Sequence, residues 1–149
     1  MSTGISPSEL VKTAEGILEK AKAVEKAEKE KPPGSGMRVR FWDQTSQLRN
    51  LVQISQTESE VPVLRNFIRY QMGRRSTKDF WVLVGSGVIE ALEGIDAATS
   101  GAENAEETRK RAIRNFFGYL VRHYVYVNET QKPKDTNDRS GDTQAGRRS

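Results

Sequence analysis

Lys78-Asp79-Phe80-Trp81-Val82-Leu83-Val84-Gly85-Ser86-Gly87-Val88-Ile89-Glu90-Ala91-Leu92-Glu93-Gly94-Ile95 is apolar around almost its whole circumference when wound as a helix. A helix of that kind belongs in the middle of a protein, with other elements around it. Thr77 stands where an N-cap belongs. Gly85-Ser86-Gly87 interrupts the bulky run and permits close packing by a neighbouring helix, or a kink.

The flanking sequence supplies helices to surround it. Upstream, Leu48, Leu51, Val52 and Ser55 share one face of a helix expected from Thr45 to Gln56, with Thr45, Arg49, Gln53 and Gln56 on the other. Thr57-Glu58-Ser59-Glu60 reads as a capping box opening the next helix, to about Arg75. Pro62 falls in its first turn, where a missing N–H costs little. Val61, Leu64, Ile68 and Met72 form its apolar stripe. Downstream, Asn104-Ala105-Glu106-Glu107 caps a last helix running to about Asn128. Ile113, Phe116, Phe117, Leu120, Tyr124 and Val127 recur along it at helical spacing. Two pieces compete as strands, Met37–Trp42 and His123–Val127, because both are rich in β-branched and aromatic residues.

The ends of the chain differ from this middle. Forty of the 52 hydrophobic residues and all eleven aromatics lie within residues 37–128. Residues 1–36 carry six Lys and six Glu, and end in Lys31-Pro32-Pro33-Gly34-Ser35-Gly36, a linker. Ser6-Pro7-Ser8-Glu9 opens a helix over residues 7–30, and Leu10, Ala14, Ile17, Leu18, Ala21 and Val24 give it a weak stripe. The expectation is a solvated, partly frayed helix, since isolated helices are marginal in water. Residues 129–149 are polar and read as a disordered tail. The reading is all-α: a compact bundle of about five helices including a long N-terminal helix. Its units are residues 1–36, a helical domain over 37–128, and the tail.

The 149-residue chain has no cysteine and one histidine, His123. That excludes a disulfide scaffold, thiolate-held zinc and a thiol nucleophile, and it disfavours a Ser-His-Asp triad. No stretch approaches the 18–20 apolar residues of a bilayer span, and no signal pattern opens the chain. Gly85-Ser86-Gly87 is followed by Val88, so there is no phosphate-binding P-loop. The acids Glu90, Glu93, Glu103, Glu106 and Glu107 read as exposed helix charges and cap residues. His123 reads as a packed or interface histidine. A non-enzyme with no cofactor and no metal is expected.

The net charge of +4 conceals blocks. Residues 37–78 sum to +5, residues 79–107 to −7 and residues 108–128 to +5. Residues 37–128 hold eleven arginines and two lysines. Arginine presents a planar fork suited to phosphate and stacks on bases, so this surface is expected to face a polyanion.

Three pieces carry a resemblance. Asp43-Gln44-Thr45-Ser46-Gln47-Leu48-Arg49-Asn50-Leu51 resembles the Thr-x-Gln-Ile-Arg-Lys-Phe/Leu opening of the small helical subunit of type III-A CRISPR effectors, the Csm complex. Leu64-Arg65-Asn66-Phe67-Ile68-Arg69-Tyr70-Gln71-Met72-Gly73-Arg74 is similar to that family's apolar helix ending in Tyr-x-x-(Gly)-Arg. Phe116-Phe117-Gly118-Tyr119-Leu120 through Val125-Tyr126 is similar to its C-terminal Phe-x-x-(Phe/Tyr)…Ala-Tyr element. The pieces keep the family's order over about 85 residues. Val127 stands where the pattern has a histidine, and the N-terminal helix is longer than the pattern.

The resemblance implies a five-helix bundle that stacks in copies beside the guide-bearing subunits and touches RNA backbone without reading sequence. The expected partners are guide RNA, single-stranded target RNA, the other effector subunits and copies of itself, in a prokaryotic cytoplasm and away from membrane. Arg49, Arg65, Arg69, Arg74, Arg75, Lys78, Arg111 and Arg114 are the expected phosphate contacts. Gln47 and Asn50 add hydrogen bonds, or cap and orient their helix. The alternatives are the small subunit of another RNA-guided effector, a protein–protein adaptor with salt-bridged interfaces, and a helix-turn-helix DNA binder with its turn near Gln56–Glu60.

Overall fold

The computed structural model describes residues 5–134. It contains five helices in the order α1 (Pro7–Lys29), α2 (Thr45–Ile54), α3 (Val61–Gly73), α4 (Lys78–Thr99) and α5 (Ala105–Gln131). The all-α bundle expected from the pattern is what forms. No helix among the described residues is long and apolar enough to cross a membrane. Residues 135–149, most of the expected tail, lie outside the described residues.

The apolar-all-round stretch is α4, and it is central. Phe80, Trp81, Val84, Val88, Leu92 and Ile95 are buried along its length. It packs against α3, α1 and α5. The two glycines do not interrupt the helix; they admit neighbours. A Cβ at Gly85 would collide with Met72 Sδ of α3, and one at Gly87 would come within 3.1 Å of Ile17 of α1. The helix runs a turn beyond Ile95, because Thr99 is buried and its hydroxyl donates to the Ile95 carbonyl at 2.8 Å.

The solvated reading of the N-terminal helix is overturned. Leu10, Ala14, Leu18 and Ala21 of α1 are fully buried against the rest of the core. Fully burying each leucine is worth about 1.5–3 kcal/mol, which outweighs the marginal stability of an isolated helix. The expected capping box is present: Ser6 Oγ accepts from Glu9 N–H at 3.1 Å, and Glu9 Oε1 accepts from Ser6 N–H at 3.0 Å.

The second expected capping box does not form. Thr57 and Glu58 instead donate their N–H groups to the Ile54 carbonyl and close α2. Proline sets this boundary. Starting α3 at Thr57 would put Pro62 where an intrahelical N–H is required, whereas starting at Val61 leaves it in the first turn. Thr77 and Asn104 occupy N-cap positions without a side-chain cap, and the Thr77 hydroxyl donates to the Gln71 carbonyl at 2.8 Å.

Neither strand candidate is a strand, and no strand forms among the described residues. His123–Val127 lies inside α5. The segment before α2 is irregular, tied to α4 by Arg40 N–H donating to the Asp79 carbonyl at 2.8 Å. The two pieces meet all the same. Phe41 is buried 5.2 Å from Tyr124, ring to ring, and the Tyr124 hydroxyl donates to the Phe41 carbonyl and accepts from Gln44 N–H. Burial pushes the Tyr124 phenol up to about 12.

α5 also outruns its expected end at Asn128, reaching Gln131. Asn128 is buried there because its Oδ1 accepts from Asp43 N–H at 2.9 Å. Asp43 has a φ of 64°, the one non-glycine left-handed residue among those described, a conformation aspartate tolerates better than most. The Lys132 ammonium, 2.7 Å from Asp43, holds its carboxyl below the ordinary range.

Candidate nucleic-acid interface

The ten expected contact residues separate into two groups. Three have partners within the fold. Gln47 Oε1 accepts from the buried Trp81 indole N–H at 3.1 Å, which orients α2 on α4 and leaves that oxygen engaged. Arg114 donates from Nε to the Ser55 carbonyl at 3.2 Å and from Nη2 to the Gln56 carbonyl at 2.9 Å. It thus satisfies the end of α2, where carbonyls lack helical partners. Arg65 pairs with Glu93 of α4 at 3.1 Å. An exposed pair of this kind is worth about 0–1 kcal/mol, so Arg65 is restrained rather than locked.

The sequence reading missed the partner of Arg114. Arg109 Nε donates to the Ser59 carbonyl at 3.0 Å and Nη1 lies 3.9 Å from Asp96. Together the two arginines hold the α2–α3 loop on α5. Nothing in the sequence distinguished them from Arg111, which is exposed between them.

The other group is on the surface. Arg49 and Asn50 are exposed on α2. Arg69, Arg74, Arg75 and Lys78 are exposed where α3 ends and α4 begins. Among the described residues none of these four is in an ion pair. Arg74 instead lies over the ring of Tyr70, 5.8 Å from its centroid. Arg75 and Lys78 line an open groove of about 610 Å³ together with Arg38. Arg38 pairs with Asp79 at 3.0 Å. Tyr70 and Arg38 were absent from the expected set. Tyr70 had a signal: it lies off the Leu64/Ile68 stripe, so an aromatic ring had to face outward.

The charge blocks acquire positions. Four cations without an ion pair among the described residues, Arg69, Arg74, Arg75 and Lys78, gather near the N-terminal end of α4, while Arg49, Arg111 and Arg122 are exposed on α2 and α5. Glu93 and Asp96 stand near its other end, and Glu103, Glu106 and Glu107 are exposed beyond it. A 22-residue helix is about 33 Å long. The α3–α4 corner is therefore basic, and exposed acids gather at the α4–α5 turn, where Arg109, Lys110 and Arg111 follow them on α5. Three of the seven acids in residues 79–107 are paired with arginine: Asp79, Glu93 and Asp96.

Among the described residues no three His, Asp or Glu side chains are grouped to hold a metal ion. His123 is a link between helices, with Nε2 3.0 Å from Glu19 and Nδ1 3.9 Å from Glu15 of α1. Lys22 and then His123 hold the Glu19 carboxyl below its ordinary range. The surface at the corner offers fixed positive charge and an aromatic face, which are the two elements of non-specific single-strand binding. Comparison of the chain with family models, curated proteins and solved structures returns no match.

Proposed function

We propose that this chain is a non-catalytic, RNA-backbone-binding small subunit of a type III-A CRISPR ribonucleoprotein effector. It would sit in a prokaryotic cytoplasm beside guide RNA, single-stranded target RNA, the other subunits and copies of itself. The observation that carries the RNA reading is the α3–α4 corner: Arg69, Arg74, Arg75 and Lys78 are exposed and, among the described residues, have no ion-paired acid. Cations spent on the fold would be paired; these keep their donors for phosphate. The placement in an effector rests on the order of the three sequence pieces and on a bundle of the implied helix number. A basic corner and an acidic turn about 33 Å apart on one unit suit a head-to-tail contact between copies, which repeats as a filament.

The test is co-expression with a guide RNA and the neighbouring effector subunits, followed by purification through a salt series. The chain should remain with the ribonucleoprotein at moderate salt. Replacing Arg74, Arg75 and Lys78 by alanine should weaken RNA binding equally for unrelated sequences. Purification of a complete effector without this chain would refute the assignment.

A further inference from the structure

We infer that the α3–α4 corner stacks unpaired bases as well as holding phosphates, and so selects single-stranded over duplex RNA. This rests on the RNA-binding reading of the same corner.

Three large apolar side chains are exposed among its cations. Tyr70 is 60% exposed, Met37 49% and Val82 37%. Tyr70 stands on the α3 face turned away from the buried Leu64 and Ile68, so the core does not need its ring. Arg74, one turn on, lies over one face of that ring, 5.8 Å from its centroid, and leaves the other face for a base. The next residue, Arg75, enters the groove that Met37 and Val82 also line. The one acid of that groove, Asp79, is held by Arg38 at 3.0 Å.

Phosphate binding explains the cations and leaves the apolar surface unexplained. Arginine and lysine hold phosphate without aromatic help. Met37 and Val82 share a groove rimmed by Arg38, Arg75 and Lys78, and exposed apolar surface with a polar rim marks a contact surface. A duplex keeps its bases stacked inside and offers mainly phosphate and ribose. A single strand also offers base faces, which stack on tyrosine and on arginine planes whatever the sequence. Cations interleaved with exposed Tyr70, Met37 and Val82 match the second ligand better.

The experiment is fluorescence anisotropy of the full chain with three probes of equal length: single-stranded RNA, the same ribose-phosphate chain without bases, and duplex RNA. The single strand should bind most tightly. Tyr70→Ala should weaken single-strand binding roughly five- to 150-fold, the usual worth of one base–aromatic stack, and leave the other two probes unchanged. Tyr70→Phe should retain the stack. Tyr70 is exposed, so circular dichroism should report an unchanged fold for both variants. Equal affinity for base-bearing and abasic strands, or an equal loss on all three probes, overturns the stacking inference and leaves backbone binding standing. Failure to bind any probe overturns both.

Discussion

The hydroxyl of Tyr124 in α5 lies between the Phe41 carbonyl, to which it donates, and the Gln44 N–H, from which it accepts at 2.9 Å. One side chain thereby satisfies two backbone groups of the segment between α1 and α2. Tyr124→Phe keeps the ring packing against Phe41 and Phe80 and removes both hydrogen bonds. Leaving buried backbone groups unpartnered costs about 1–3 kcal/mol. Urea unfolding should show that loss, with single-strand RNA affinity of the folded protein unchanged.

The glycines of α4 should divide by what faces them. Gly87→Leu drives a side chain into Ile17 and should lower stability by roughly 1–3 kcal/mol through overpacking. Gly94 meets nothing within 4 Å, so Gly94→Ala should raise stability by roughly 0.5–1 kcal/mol. Thermal unfolding of both variants measures the contrast.

Neighbouring arginines of α5 should behave differently. Arg114→Ala removes hydrogen bonds to two carbonyls at the end of α2 and should cost about 1–2 kcal/mol. Arg111→Ala removes an exposed side chain and should stay within about 0.5 kcal/mol of the parent. Chemical denaturation distinguishes them.

Acid should loosen the molecule. Lys132 lowers Asp43, Lys22 and then His123 lower Glu19, and the Met37 N–H and then Lys31 lower Glu28. A carboxyl depressed in the folded state contributes stability above its unfolded value near 4, and that contribution is lost as pH falls through the folded value. Unfolding midpoints should therefore be level near neutrality and decline below about pH 4. Asp43→Asn should shallow that decline.

RNA binding should be steeply salt-dependent. Each phosphate contact on a single strand adds about 0.7 to the slope of log K against log salt. Replacing Arg74, Arg75 and Lys78 together should reduce the slope by about 2. An unchanged slope would place the phosphate contacts elsewhere.

The helices were legible wherever a local pattern sufficed. The all-round apolar stretch, the Leu64–Ile68 stripe and the Ile113–Val127 repeat each specify a helix and its inner face, because helical periodicity is a property of neighbours along the chain. The ends were less legible, since they depend on partners from elsewhere. Asp43 holds the end of α5 through Asn128 and Lys132, and Pro62 decides against a capping box that reads well in isolation.

What the sequence determined by itself was the helical class, the central element, and the eleven arginines of residues 37–128. What the tertiary structure alone decided was which charges remain available. Arg65 and Arg69 are four residues apart and equivalent in pattern, yet Arg65 meets Glu93 and Arg69 meets no acid among the described residues. Arg109 and Arg114 hold carbonyls of the α2–α3 loop, while Arg111 between them faces water. An ion pair or a carbonyl contact depends on distance through space, and those partners lie 28 to 59 residues away along the chain.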